Sequence, residues 1–309
     1  MSVVGVDAAA IQEALEILGP LARTDVNLGV LTTYRVGGDT ALYIEAQTEQ
    51  DLEAVSRVRN ETGLPTLVLG KGSNLLVADS GFPGVTVAIG NLFGTITIDR
   101  EAASVYAGST VALPSLARQS VASGLSGFEW AVGVPGSIGG AVRMNAGGHG
   151  GDMSAVVAEV NVFDLRTSRS ETKTKDEMTF SYRKSAVTQD SIVLGATLQL
   201  ERDDTASGAK VLSEIVQWRR ENQPGGQNAG SVFVNPEEET SGELLDRLGF
   251  KGFRIGSAQV SAKHANFVQA DPGGSAADVD AVITAIADRV FSETGISLRT
   301  EIQRIGFEG

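Results

Sequence analysis

The sequence predicts a globular chain of mixed helices and strands, arranged in two or three compact domains. Three observations carry this. Its 309 residues exceed what one small core needs. Hydrophobic residues make up 42% and charged residues 20%, the balance of a folded chain. Short apolar runs alternate with helical patterns from end to end, with no fixed-period repeat and no low-complexity block.

The elements follow in order. Ile11, Leu15 and Leu18 share one helical face, which ends at Gly19-Pro20. "LTTYRVGGDTALYIEA" reads as a turn and then a strand. Thr48 with Asp51 forms a capping box for a helix carrying Leu52, Val55 and Val58. The strand "TLVL" (66–69) runs straight into "GKGSNLLV", and short strands continue through Ile98. A helix follows, with Pro114 near its start and Gly124 as its cap. Residues 156–165 and 191–200 read as strands, and "TASGAK" (205–210) as a linker. Beyond it come a helix around Val211, Ile215 and Trp218, a loop holding Ser231, and a short helix at 241–248 stopped by Gly249. A long helix from Ser275 to Thr294 turns Val279, Val282, Ile283, Ile286 and Val290 to one face, with Gly295 as cap. The last segment alternates as a strand: Ile296, Leu298, Thr300 and Ile302 face one way, Arg299, Glu301 and Gln303 the other. From that strand alone, Glu301 belongs to a solvated outer face.

Net charge is −13, with a pI near 4.7. That balance argues against a broad nucleic-acid or anionic-membrane footprint, while leaving room for one phosphorylated ligand held by main-chain N–H groups. The absence of cysteine removes disulfides, thiol nucleophiles and cysteine–zinc sites together. His149 and His264 are the only histidines, so no metal site is expected; each reads as a hydrogen-bonded structural or pocket residue. The start, "MSVVGVDAAAIQEALEIL", lacks a basic segment and makes a poor signal peptide, and no apolar run approaches a membrane span. A cytoplasmic protein is expected.

Two glycine loops stand out. "LVLGKGSNLL" lets the backbone fold into a concave set of N–H groups suited to a diphosphate. It is neither a Walker A loop nor the Rossmann fingerprint, and by itself reads as a hairpin turn. "GVPGSIGGAV" carries Gly133, Gly136, Gly139 and Gly140, and two such loops in one chain point to a dinucleotide. The hydrolase elbow G-x-S-x-G is absent. "FSYRKS" sets Arg183, a residue suited to bidentate carboxylate binding, beside Tyr182. Ser231, in "NAGSVFVNP", has four readings: nucleophile, phosphate ligand, proton donor, or turn residue.

The segments "TTYRVGG", "GKGSNLLV", "GFEWAVGVPGSIGGAVRMNAGG", "FSYRKS", "NAGSVFVNP", "KGFRIGSAQVSAKHANFV" and "LRTEIQRIG", in this order, resemble the UDP-N-acetylenolpyruvoylglucosamine reductase (MurB) family from about residue 27 to 306. The resemblance implies an α+β chain: a FAD-binding fold of the vanillyl-alcohol-oxidase type in two lobes (1–90 and 91–205), then a C-terminal α/β substrate-binding lobe (206–296). A C-terminal strand (297–309) would return to the active site. It implies an NADPH-dependent flavoprotein of peptidoglycan synthesis in a bacterial cytoplasm, a monomer acting on a UDP-linked amino sugar. FAD would be non-covalent, since no attachment signal is evident. Gly70, Lys71, Gly72, Ser73, Asn74 and Leu75 would cradle its diphosphate; Pro135, Gly136, Ser137, Gly139 and Gly140 would form the second wall. Ser231 matches the family's proton donor, and Arg183 and Glu301 the pair that stabilises the anionic intermediate. Glu301 would then have to be protonated or hydrogen-bonded through a partner. Tyr182, Asn235, Gln259 and His264 fall at substrate-binding positions. Val234 stands where many members carry a basic or polar residue, and the chain resembles the shorter form, which lacks an extra loop closing over the diphosphate. An FAD-dependent oxidase of the same fold, acting on a sugar or alcohol, would share the glycine loops without needing Arg183, Ser231 and Glu301 together. A non-catalytic nucleotide-binding protein would need none of the three.

Overall fold

A computed structural model describes residues 7–307. Residues 1–6, on which part of the signal-peptide reading rests, lie outside them.

The first lobe comprises α1 (Ala8–Leu18), β1 (Val26–Asn27), β2 (Asp39–Ala46), α2 (Glu49–Thr62), β3 (Thr66–Leu69), β4 (Leu75–Val77) and β5 (Phe82–Ile89). Its sheet runs β1-β2-β5-β3, with β2 and β3 both parallel to β5. Between β2 and β3, which flank β5 on opposite sides, the chain crosses over through α2; from β3 it returns to β5 through the segment that holds β4. The capping box forms as the sequence predicts: Thr48 accepts from the Asp51 N–H while the Asp51 carboxylate accepts from the Thr48 N–H, and Gly63 closes the helix at φ 70°. Leu52, Val55 and Val58 of α2 pack against Leu42, Ile44 and Val87 of the sheet.

The second lobe comprises β6 (Ile96–Asp99), β7 (Ser104–Gly108), α3 (Leu113–Ala122), β8 (Leu125–Ser126), α4 (Ile138–Arg143), β9 (Gly147–Gly148), β10 (Gly151–Asp152), α5 (Met153–Val156), β11 (Val157–Asp164), β12 (Arg169–Thr174), β13 (Ser191–Gln199) and β14 (Glu201–Arg202). Its main sheet is antiparallel throughout, in the order β12-β11-β13-β7-β6. A register shift against β11, which leaves Leu194 as an extra residue between Val193 and Gly195, changes the facing of β13 partway along and divides it between two cores. Ile192 and Leu194 join the first lobe, whereas Val193, Ala196 and Leu198 pack with Leu116 and Ala117 of α3.

The remaining elements are α6 (Thr205–Asn222), α7 (Ser241–Arg247), β15 (Arg254–Ile255), β16 (Ala258–Val260), β17 (Val268–Ala270), α8 (Ala276–Thr294) and β18 (Gln303–Ile305). Val279, Val282, Ile283, Ile286 and Val290 of α8 share a core with Ala258, Val260 and Val268 of the small sheet β15-β16-β17. Asp79 fastens the first lobe to the N-terminus of α8. Its carboxylate accepts from the Ser275 hydroxyl at 2.8 Å and from the Ala276 and Ala277 N–H groups at 2.9 Å each, where the helix dipole favours negative charge.

Two expectations are corrected. "TASGAK" is not a linker but the opening of α6, N-capped by Asp204. Gly208 sits there because a Cβ would lie 2.7 Å from Val121 of α3; the glycine is a packing notch between helices. On α6 Ile215 is buried, yet Val211 and Trp218 are exposed. The last segment is a strand only from Gln303 to Ile305, paired parallel with β4; before it, Phe233↔Thr300 is a lone antiparallel bridge.

Candidate active site

A cavity of about 1050 Å³ opens between the lobes. One wall is the turn after β3. Gly72 holds φ +60°, and a Cβ there would collide with the Leu31 carbonyl and lie 2.7 Å from Thr32 Cα. The left-handed turn is therefore locked by backbone behind it, and Gly72 also accepts from the Thr33 N–H at 3.1 Å. The second wall is the 133–140 loop. The Ser73 hydroxyl donates to the Pro135 carbonyl at 2.9 Å and joins the two. The loop is held from behind: Leu113 N–H donates to Gly136, Ile138 N–H to Val111 and Gly139 N–H to Ser109.

Main-chain N–H groups 71–74 donate to no protein acceptor among the described residues. Nor, among those residues, do Arg143, Arg219 and Lys71 of the cavity lining pair with a carboxylate. Burial depresses the pKa of Arg143 and Arg219 from the ordinary guanidinium value, the mark of cations held without counter-charge. Free N–H groups in a concave turn and unpaired guanidinium groups fit an anionic diphosphate. A narrower recess of about 110 Å³ continues from the cavity past Gly70, Ser109, Gly139 and Gly140. At Gly140 a Cβ would meet nothing within 4 Å. Gly140→Leu is thus expected to leave the fold intact and lower retained flavin, measured as absorbance per protein after gel filtration; undiminished flavin would remove the loop from the cradle. Gly72→Val, by contrast, is expected to disrupt the turn itself.

Residues 299–303 thread between these walls and the Ser231 loop. Val234 N–H donates to Arg299 at 2.9 Å, and Glu301 N–H to Val232 at 2.7 Å. The Asn74 side chain donates to the Glu301 carbonyl at 3.1 Å, and Gln303 N–H to Asn74 at 2.9 Å. Glu301 therefore leaves the expected solvated face and lines the cavity, where its carboxylate accepts from Arg183 Nε at 2.6 Å. Arg183 sits at φ 55° in a turn closed by Ser181 and Lys184, its Nη2 donating to Gly147 at 3.1 Å.

Ser231 also lines the cavity, and its hydroxyl has no protein partner among the described residues. The main chain around it is fixed. Gly230, at φ 79°, donates to Asn228, and Val232 donates to the Asn266 carbonyl. Buried Asn266 grips Phe233 through both backbone groups, at 2.9 and 2.8 Å.

Gly70, Lys71, Gly72, Ser73, Asn74, Leu75, Pro135, Gly136, Ser137 and Gly140 line the main cavity with Ser231, Arg183 and Glu301; Gly139 lines only the recess. The four substrate-binding expectations are placed outside that lining. Tyr182 is 54% exposed and stacks on Arg183, ring to guanidinium 4.9 Å. The Asn235 side chain accepts from the N–H of Ser241, the first residue of α7, whose N-cap is Thr240. Gln259 bonds Arg254 and Gly252. His264 supports the site from behind, accepting from Asn266 N–H at 3.2 Å and packing edge-on against cavity-lining Phe267. His149 takes the pocket alternative of its sequence reading, whereas Arg143, Trp218, Arg219 and Phe267 line the cavity without having been singled out. Arg143 had a signal, lying just after the glycine loop in "GGAVRMN"; the others gave none.

His264 also predicts a pH dependence. Burial, assisted by the Lys251 charge and opposed by Asp246, holds its imidazole below the ordinary value. The folded state then binds this proton less readily than the unfolded chain. Its contribution to stability is present above the unfolded chain's value of about 6.5 and is lost as pH falls from there through the lower folded value. Thermal midpoints should decline over that range, and His264→Asn should flatten that slope whatever its absolute stability.

Residues 40–169 match the family described as FAD binding domain. With the cradle above, this defines the class: a flavoprotein with the vanillyl-alcohol-oxidase type of FAD-binding fold, plus a C-terminal domain. Residues 222–305 match the family described as UDP-N-acetylenolpyruvoylglucosamine reductase, C-terminal domain. The reductase of that name from Heliobacterium modesticaldum is 42% identical over 285 residues, 90% of this chain and 88% of that protein. One from a Synechococcus strain is 39% identical over 300 residues, 96% of each chain. The crystal structure of the Thermus caldophilus enzyme superposes with a TM-score of 0.78 at 32% identity, covering 92% of this chain and 99% of that one. The chain belongs to the UDP-N-acetylenolpyruvoylglucosamine reductase family.

Proposed function

We propose that this protein reduces UDP-N-acetylenolpyruvoylglucosamine to UDP-N-acetylmuramate with NADPH as reductant, as a monomer in a bacterial cytoplasm, within peptidoglycan synthesis. One observation carries the reading: Ser231, Arg183 and Glu301 line the same cavity as the two glycine loops. The supporting facts are family membership and the unpartnered N–H groups of residues 71–74. Among the described residues no helix is long and apolar enough to cross a membrane.

The 70–75 and 133–140 loops would hold FAD by its diphosphate. When bound and reduced by NADPH, the flavin would supply a hydride to the β-carbon of the enolpyruvyl group. Electron density then moves toward the substrate carboxylate. Arg183, held by Glu301 and by the Gly147 carbonyl, places a fixed cation beside that developing charge. The Ser231 hydroxyl delivers a proton to the α-carbon, and hydride and proton together saturate the double bond. A serine hydroxyl is a weak acid, but the enediolate-like carbanion it quenches is strongly basic. Ser231 therefore acts as an acid and not as a nucleophile.

The test is anaerobic mixing with NADPH, then with the enolpyruvyl nucleotide. The flavin absorbance should bleach and then return. Bleaching without return would overturn the substrate; rapid return only with oxygen would favour a sugar or alcohol oxidase.

A further inference from the structure

The β9–β10 hairpin turns through two residues, His149 at φ 50° and Gly150 at φ 85°. Left-handed backbone at both positions suits Asn or Gly, so a histidine there is strained by about 1–2 kcal/mol. The turn does not need the imidazole; the imidazole has another use. It meets the Trp218 indole of α6 edge-to-face, ring centroids 5.0 Å apart and planes at 90°. Both rings line the cavity and remain open to solvent, Trp218 at 46% exposure. Partial burial and the Arg219 charge hold His149 below its ordinary pKa, so the ring is neutral at neutral pH. Arg219, the next residue, lies so close over the 133–140 loop that a Cβ on Gly133 would come within 2.5 Å of its Cδ. The hairpin is tied to the reacting end of the cavity, because Gly147 accepts from Arg183.

We infer that His149 and Trp218 form a stacking platform for the nucleobase of a nucleotide ligand whose reacting end lies at Arg183, Glu301 and Ser231. A half-exposed indole braced by a neutral imidazole offers a rigid π-face, and stacking on such a face discriminates weakly among bases but binds them firmly. Arg219 beside it adds a cation to the cavity wall next to the rings. The inference rests on the proposed function, in which two nucleotides reach this end: the UDP-linked substrate and NADPH.

The experiment uses the FAD-loaded enzyme and isothermal titration with UDP and, separately, NADP⁺. Trp218→Ala and His149→Asn are compared with the parent and with Trp218→Phe; Asn tolerates the left-handed turn but lacks the ring. The expected result is a roughly 5- to 150-fold weaker dissociation constant for Trp218→Ala, partial recovery in Trp218→Phe, a smaller loss in His149→Asn, and unchanged flavin content. Loss confined to UDP assigns the platform to the substrate's uracil; loss confined to NADP⁺ assigns it to the reductant's adenine; loss of both assigns it to both. Affinities within twofold of the parent for both ligands overturn the inference, as does loss accompanied by released flavin, which marks a structural role. A parent enzyme that binds UDP yet fails to turn over the enolpyruvyl nucleotide would instead count against the proposed function.

Discussion

Ser231→Ala is expected to slow reduction of the enolpyruvyl nucleotide by about 10²–10⁴-fold, while reduction of the flavin by NADPH stays near the parent rate. The substitution removes only a hydroxyl that has no protein partner among the described residues. The chain on either side is fixed by Asn228 and Asn266, so alanine should keep the loop's shape. Without the proton, the intermediate returns its hydride and no net product forms. Ser231→Cys should recover part of the rate, because a thiol also donates. The remaining roles make other predictions. A turn serine would lower stability and harm both half-reactions together. A phosphate ligand would chiefly raise KM. Single-turnover absorbance of each half-reaction separates them, and equal flavin reoxidation in Ser231→Ala and parent would end the proton-donor reading.

Arg183→Lys is the second large effect. The guanidinium reaches in two directions at once, Nε to Glu301 at 2.6 Å and Nη2 to Gly147 at 3.1 Å. An ammonium on a flexible stem keeps the charge but not the fork. The loss expected is about 10²–10³-fold in the substrate half-reaction, the scale of removing one positioned stabilising group. Flavin content and its reduction by NADPH should not change. Glu301→Gln should fall between parent and Arg183→Lys, since the amide oxygen can still accept from Nε. A lysine variant as fast as the parent would show that charge alone suffices and that the positioning by Glu301 and Gly147 is irrelevant.

Helices with chemical punctuation were legible in the sequence. Thr48 with Asp51 and Ser275 with Gly295 mark their ends through local hydrogen bonding, which needs no tertiary knowledge. "TASGAK" misled because Gly208 is required by Val121 of another helix, and such a requirement leaves no local trace. The alternation from Ile296 to Ile302 reflects burial of Ile302 against the C-terminal core rather than a ladder. Glu301 could not be assigned to the cavity from its own strand, because its place is set by Asn74, distant in sequence. Resemblance supplied Ser231, Arg183 and Glu301 as a group; it also supplied Tyr182, Asn235, Gln259 and His264, which the structure sets outside the cavity lining.

The crossing of residues 299–305 between Asn74 and Val232 has a kinetic meaning. During synthesis, the glycine turn after β3 emerges long before the segment that closes over it. Until residues 299–305 arrive, β4 lacks its partner β18, and the Asn74 side chain and the Val232 carbonyl lack the groups they bind. Ligand-holding and catalytic competence should therefore mature together, late, and as one cooperative event of high contact order. Nascent chains stalled short of this segment should carry folded lobes, yet neither retain flavin nor turn over substrate.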